Sequence, residues 1–124
     1  MFVTSTDANQ AGTRLHCVDA RNGRILWSRG FDFAPFRKHK FNSYASSTPV
    51  VDKDGVYFAW STPDKYLVVA FDHDGKDLWE RDMGPFASQH GLGASIIVHD
   101  CKVIVPNDQR GAGFLMALDT RSGK

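Results

Sequence analysis

Leu67-Val68-Val69-Ala70-Phe71-Asp72-His73-Asp74-Gly75-Lys76-Asp77-Leu78-Trp79 reads as a strand, a glycine-bearing turn and the start of a second strand. Its outline recurs in Leu15-His16-Cys17-Val18-Asp19-Ala20-Arg21-Asn22-Gly23-Arg24-Ile25-Leu26-Trp27. It recurs again in Leu115-Met116-Ala117-Leu118-Asp119-Thr120-Arg121-Ser122-Gly123-Lys124. Trp27 and Trp79 stand 52 positions apart, and Asp72 and Asp119 stand 47 apart. A second element repeats at 47 positions, Ser47-Thr48-Pro49-Val50-Val51-Asp52 against Ala94-Ser95-Ile96-Ile97-Val98-His99. Two elements recurring at nearly one interval mark an internal repeat of a size that small-sheet arrays use.

Each repeat reads as four strands, A to D. Asn22-Gly23, Asp54-Gly55 and Asp74-Gly75 sit between apolar runs. They suit two-residue hairpin turns of type I′, where glycine accepts positive φ. Asp100-Cys101 occupies the same place in the third repeat, and cysteine disfavours positive φ, so another turn type is expected there. Blade two should have A near 48–52, B near 56–61, C near 66–72 and D near 77–82. Blade one should supply B near 2–5, C near 14–20 and D near 24–30. Blade three should supply A near 95–99, B near 102–106 and C near 114–119. Val56-Tyr57-Phe58-Ala59-Trp60 and Tyr66-Leu67-Val68-Val69-Ala70-Phe71 are apolar without alternation. A strand covered on one face alternates; one covered on both need not. No segment carries a sustained 3.6-residue period, so helix content should be near zero.

The expected fold is therefore all-β, made of β-propeller blades of four antiparallel strands. The expected division is blade one partial over 1–30, blade two over 47–83 and blade three partial over 94–124. That makes about two and a half blades, a fragment of a longer ring. Uncovered strand edges would then leave the isolated chain marginally stable or dependent on association.

Composition narrows the function. The chain has 124 residues, 42% hydrophobic and 23% charged, with a formal net charge of +1. A general nucleic-acid binder carries a stronger basic excess. No apolar run approaches the length of a membrane span. Met1-Phe2-Val3-Thr4-Ser5 lacks the basic and apolar regions of a signal peptide. Cys17 and Cys101 match no metal spacing and no CxxC motif, and buried thiols are the favoured reading for both.

The family follows from Asp19…Gly23…Leu26-Trp27, Asp72…Gly75…Leu78-Trp79 and Ser46-Ser47-Thr48-Pro49-Val50-Val51. Kelch glycine pairs and the Trp-Asp of WD40-like repeats are absent. The pattern resembles the pyrroloquinoline-quinone-like (PQQ-like) repeat, L-x-A-x-D-x-x-x-G-x-x-x-W, over nearly the whole chain. The second copy departs by one residue between Asp72 and Gly75. The resemblance implies rings of seven or eight blades, with Trp27 and Trp79 docking between blades. It gives Gly23, Gly75, Asp19, Asp72 and Asp119 structural roles in that docking. Relatives include quinoprotein alcohol dehydrogenases and BamB-like propellers of the outer-membrane assembly machine. The resemblance therefore implies a periplasmic or extracellular parent protein.

In an up-and-down blade the A–B and C–D turns share one rim, and the B–C and D–A connections share the other. The second set is read as long, at 6–13, 61–65 and 107–113 for B–C and at 31–46 and 83–94 for D–A. Loops on a rigid scaffold carry binding work. Arg37-Lys38-His39-Lys40, flanked by Phe33, Phe36 and Phe41, offers an anion or acidic-partner site. The favoured reading is a solvated loop face with its aromatics tucked beneath. Asp7, Asp64 and Asp108 offer a cation site, with turn capping favoured. His90, in Gln89-His90-Gly91, is read first as a satisfied structural histidine. Arg110 completes the candidate rim. Gly91-Leu92-Gly93 and Gly111-Ala112-Gly113 open no helix and are not phosphate loops. No metal or catalytic constellation is expected.

The quinone enzymes of the family use adjacent cysteines, a stacking tryptophan and calcium. This chain has no adjacent cysteines, so no cofactor is expected and the quinone should not bind. The leading reading is a non-enzymatic scaffold or binding module whose partner is the rest of the propeller or another protein. The alternatives are part of a quinoprotein dehydrogenase, or a secreted propeller for a polysaccharide or small molecule.

Overall fold

The structure, a computed structural model, describes residues 1–6, 9 and 11–124. Among the described residues ten strands run in chain order. They are β1 (Phe2–Thr6), β2 (Gly12–Val18), β3 (Ile25–Asp32), β4 (Val50–Val51) and β5 (Val56–Thr62), then β6 (Lys65–Phe71), β7 (Asp77–Asp82), β8 (Ile97–His99), β9 (Lys102–Asn107) and β10 (Phe114–Asp119). They form three antiparallel sheets, β1-β2-β3, β4-β5-β6-β7 and β10-β9-β8, and among the described residues there is no helix. These are propeller blades packed face to face, with blade two in the middle.

Blade two explains its own sequence. Val56, Phe58, Trp60, Leu67, Val69 and Phe71 pack toward blade one, with Leu15, Phe2, Trp27 and Phe31. Tyr57, Ala59, Tyr66, Val68 and Ala70 face the other way, onto Val103, Val105 and Leu118 of blade three. Alternate residues of one strand thus enter two different cores. That is why β5 is apolar without a break from Val56 to Trp60 and β6 from Tyr66 to Phe71.

The strands begin and end differently from the sequence reading in several places. Strand A of blade two shrinks to β4. Pro49 has no N–H to give a ladder, and the Thr48 N–H donates instead to Ser95 Oγ at 3.0 Å. Asp100 and Cys101 both have positive φ, 47° and 58°. The expectation of another turn type is overturned. With His99 paired to Lys102, two residues must reverse the chain, and only a primed turn matches the strand twist. This turn projects outward, so Cys101 is exposed while Cys17 is buried, and both thiols are free.

Asp54-Gly55 is not a type I′ turn either. Neither residue has positive φ, and Asp52 Oδ1 accepts from the backbone N–H groups of Asp54 and Gly55 at 2.8 and 2.9 Å. Glycine is needed there for space, because a Cβ would lie 2.7 Å from the Phe71 carbonyl oxygen. The C–D turns span 19–24 and 72–76 rather than two residues, and only Gly23 and Gly75 take positive φ in them. The B–C connection of blade two, read as long, is the two-residue turn Pro63-Asp64.

The aspartate of the repeat closes each C–D turn. Asp72 Oδ1 accepts from the N–H groups of Asp74 and Lys76, and Asp119 Oδ1 from those of Arg121 and Ser122. The Arg21 side chain and backbone hold the Asp19 carboxyl below its ordinary range.

Across these turns the blades are joined by tryptophan. Trp27 Nε1 donates to His73 O at 2.9 Å, and Trp79 Nε1 to Thr120 O at 2.8 Å. Both acceptors directly follow the turn aspartate. A Cβ on Gly75 would lie 2.7 Å from the Trp27 ring, and one on Gly123 2.7 Å from the Trp79 ring. Gly23, with φ 76°, has no atom within 4 Å of that position.

Tyr66 gives a pH test of the second interface. It is fully buried, and its hydroxyl donates to Pro106 O at 3.0 Å. Burial pushes its pKa up to about 12. Above a pH of about 10 the unfolded chain releases a proton that the folded chain keeps, so stability falls as pH rises toward 12. Denaturant unfolding between about pH 9.5 and 11.5 should show a loss of roughly 2 kcal/mol from this group. Tyr66→Phe should remove that part of the slope; an unchanged slope would contradict the assignment.

Candidate functional site

The two D–A connections and one B–C loop meet on the long-loop rim. The first runs from 33 to 49 and is pinned by aromatics. Tyr44 Oη donates to Phe36 O at 2.6 Å and accepts from Phe36 N at 2.9 Å. Phe33 stacks on Trp60 with ring centroids 5.4 Å apart and 14° between planes, and meets Tyr44 edge-on. Phe33 and Phe36 are thus tucked beneath the basic run. Phe41, expected to be tucked as well, is 82% exposed.

The other two loops are tied together by backbone and amide bonds. Arg110 N donates to Ala87 O at 2.8 Å, and Ala87 N donates to Gln109 Oε1 at 2.7 Å. Arg110 Nη2 donates to Gln89 Oε1 at 2.6 Å. Asn42 Nδ2 donates to His90 O at 2.5 Å and joins the first D–A loop to the second.

These bonds bring Arg37, Lys38, His39, Lys40, His90 and Arg110 to one pocket of about 800 Å³, with Ser88 and Gln89 also in its wall. The Lys38 ammonium lies 4.8 Å above the Tyr44 ring and that of Lys40 4.9 Å above Phe41, close enough for cation–π attraction. The His39 and His90 rings are 5.1 Å apart. His90 is exposed rather than satisfied inside the fold.

Asp64 and Asp108 are exposed and line no part of this pocket. Asp7, the third member of the suggested cation site, lies outside the described residues. Among the described residues no three His, Cys, Asp or Glu side chains gather as a metal site. No described helix is long and apolar enough to cross a membrane.

Ser88 escaped the sequence reading, which set Arg37–Lys40, His90 and Arg110 on one rim without foreseeing their meeting in one pocket. Nothing local encodes that meeting, because it depends on how blades two and three are set against each other. The reading also missed a relay on blade one. His16 Nε2 lies 2.8 Å from Ser5 Oγ, and its Nδ1 lies 2.7 Å from Ser28 Oγ. Both ring nitrogens are taken by serine hydroxyls and, among the described residues, no carboxylate is bonded to the imidazole, so the group lacks the third member of a nucleophilic triad.

The residues present do not fit a quinone clamp. Trp27 and Trp79 are seated on Gly75 and Gly123, and Trp60 has a face taken by Phe33. Cys17 is buried in β2 and Cys101 stands on the β8–β9 turn, so no vicinal disulfide forms.

Comparison with known proteins agrees with this architecture. A family model described as outer membrane protein assembly factor BamB matches residues 1–124. A solved europium-containing methanol dehydrogenase superposes with a TM-score of 0.68 over 99% of this chain, at 19% identity. That match covers 21% of the dehydrogenase, so this chain spans about a fifth of its length, and the likeness is one of fold. No curated protein matches the sequence.

Proposed function

The chain belongs to the PQQ-like β-propeller family described as outer membrane protein assembly factor BamB, and on that footing we propose that it is a non-enzymatic scaffold presenting its long-loop rim to a protein partner in the bacterial cell envelope. The observation that carries this reading is the rim pocket, assembled from three loops of adjacent blades and lined by polar and cationic side chains. The opposite rim carries the A–B and C–D turns, where Asp19, Asp52, Asp72 and Asp119 carboxylates take up backbone N–H groups of their own turns.

The chain takes this role as a segment of a longer ring, in the periplasm or outside the cell. The face of blade three turned from blade two exposes Ile97 and Leu115, at 57% and 73%. Apolar residues so placed suit a covering blade.

A photo-crosslinking residue at Gln89, on the rim, should give a discrete protein adduct in the native cell. The same residue at Asp74, on the opposite rim, should give none. Adducts at both positions, or at neither, would overturn the reading.

A further inference from the structure

We propose that the rim pocket takes a short acidic peptide segment, a run of Asp and Glu carboxylates on the partner protein; this deepens the partner-rim reading and rests on it. The first ground is charge. Arg37, Lys38, Lys40 and Arg110 converge on the pocket, and among the described residues no Asp or Glu lines it. The ion pairs formed among the described residues use Arg14, Arg21, Arg29, Lys53 and Lys102 instead. The four pocket cations therefore have no carboxylate partner among the described residues.

The second ground is the distribution of charge over the chain. Fifteen Lys and Arg face fourteen Asp and Glu. With four cations in the pocket, the other eleven against fourteen acids leave the rest of the chain at −3. A long polyanion that ran beyond the pocket would leave the cationic cluster for a chain whose remaining formal charge is negative. A short acidic segment confined to the pocket would not.

The third ground is shape and donor chemistry. About 800 Å³ is far more than one phosphate or carboxylate group fills, and matches several side chains. Arg37 and Arg110 come from different loops, and each offers the planar fork that pairs with a carboxylate through two hydrogen bonds. The Arg110 fork is already oriented by Gln89. The Asn42–His90 bond holds the two D–A loops together, so less ordering is required on binding.

The test is fluorescence anisotropy of the full chain with a labelled octapeptide of alternating Asp and Glu. Saturable binding is expected, weakened by salt and by about tenfold or more in R37A/R110A. The matching Asn/Gln peptide should not bind. If the double variant loses its strand circular dichroism, R37E replaces it, since Arg37 is exposed and hydrogen-bonded to no described residue. No binding of the acidic peptide, or equal affinity in parent and variant, overturns the proposal. So does equal or tighter binding of inorganic phosphate or of an oligonucleotide of matched charge. If crosslinks form at Gln89 while the acidic peptide fails, the acidic-segment inference falls and the partner rim stands.

Discussion

Trp79→Ala is expected to lower stability by roughly 3–5 kcal/mol, the range for large aromatic side chains removed from a packed site. Two losses add. The ring covers Gly123 and packs beside Tyr57, with ring centroids 5.9 Å apart. The indole N–H also satisfies Thr120 O, whose residue is buried. Without the indole that carbonyl loses its partner at the seam between blades two and three. Lys53→Ala is the control. Lys53 is exposed and pairs only with its neighbour Asp54 at 2.7 Å, and such surface pairs contribute about 0–1 kcal/mol. Urea midpoints followed by strand circular dichroism decide it. Equal midpoints for the two variants would remove tryptophan docking from the account.

Gly75→Ala is expected to cost roughly 2–5 kcal/mol, from backbone strain and overpacking together. Its φ of 83° disfavours any side chain, and the new methyl would press on the Trp27 ring. Gly23→Ala carries the same kind of strain at φ 76° with open space around it. It should cost only about 1–2 kcal/mol. Two glycines at equivalent places in the repeat thus separate the conformational requirement from the docking requirement. Equal losses would mean that the Trp27 contact contributes little.

These two requirements also show what a sequence can carry. The periodic Asp, Gly and Trp were legible because each answers a local demand. The aspartate caps a turn, the glycine takes positive φ, and the tryptophan buries a large ring. The unbroken apolar runs of β5 and β6 were legible because both their faces are covered. Turn geometry was less so. Asp100-Cys101 adopts a primed turn because strand pairing outweighs the preference of cysteine. Asp54-Gly55 looks like a primed turn, yet the Asp52 side chain organises that corner differently. The pocket was legible only in part. The run Arg37–Lys40 is visible as a charged loop, but the loops that carry Ser88 and Arg110 reach it only through the packing of blades two and three.

The docking of each blade on the next is the central claim, since it places the rim loops beside one another. A double-mutant cycle at Trp27 and Gly75 tests it most directly. If the indole seats on the glycine, Gly75→Ala should cost roughly 2–5 kcal/mol in the parent. It should cost only about 1–2 kcal/mol in the Trp27→Ala background, where strain is all that remains. Additive losses, with Gly75→Ala costing the same in both backgrounds, would contradict the docking of blade one on blade two.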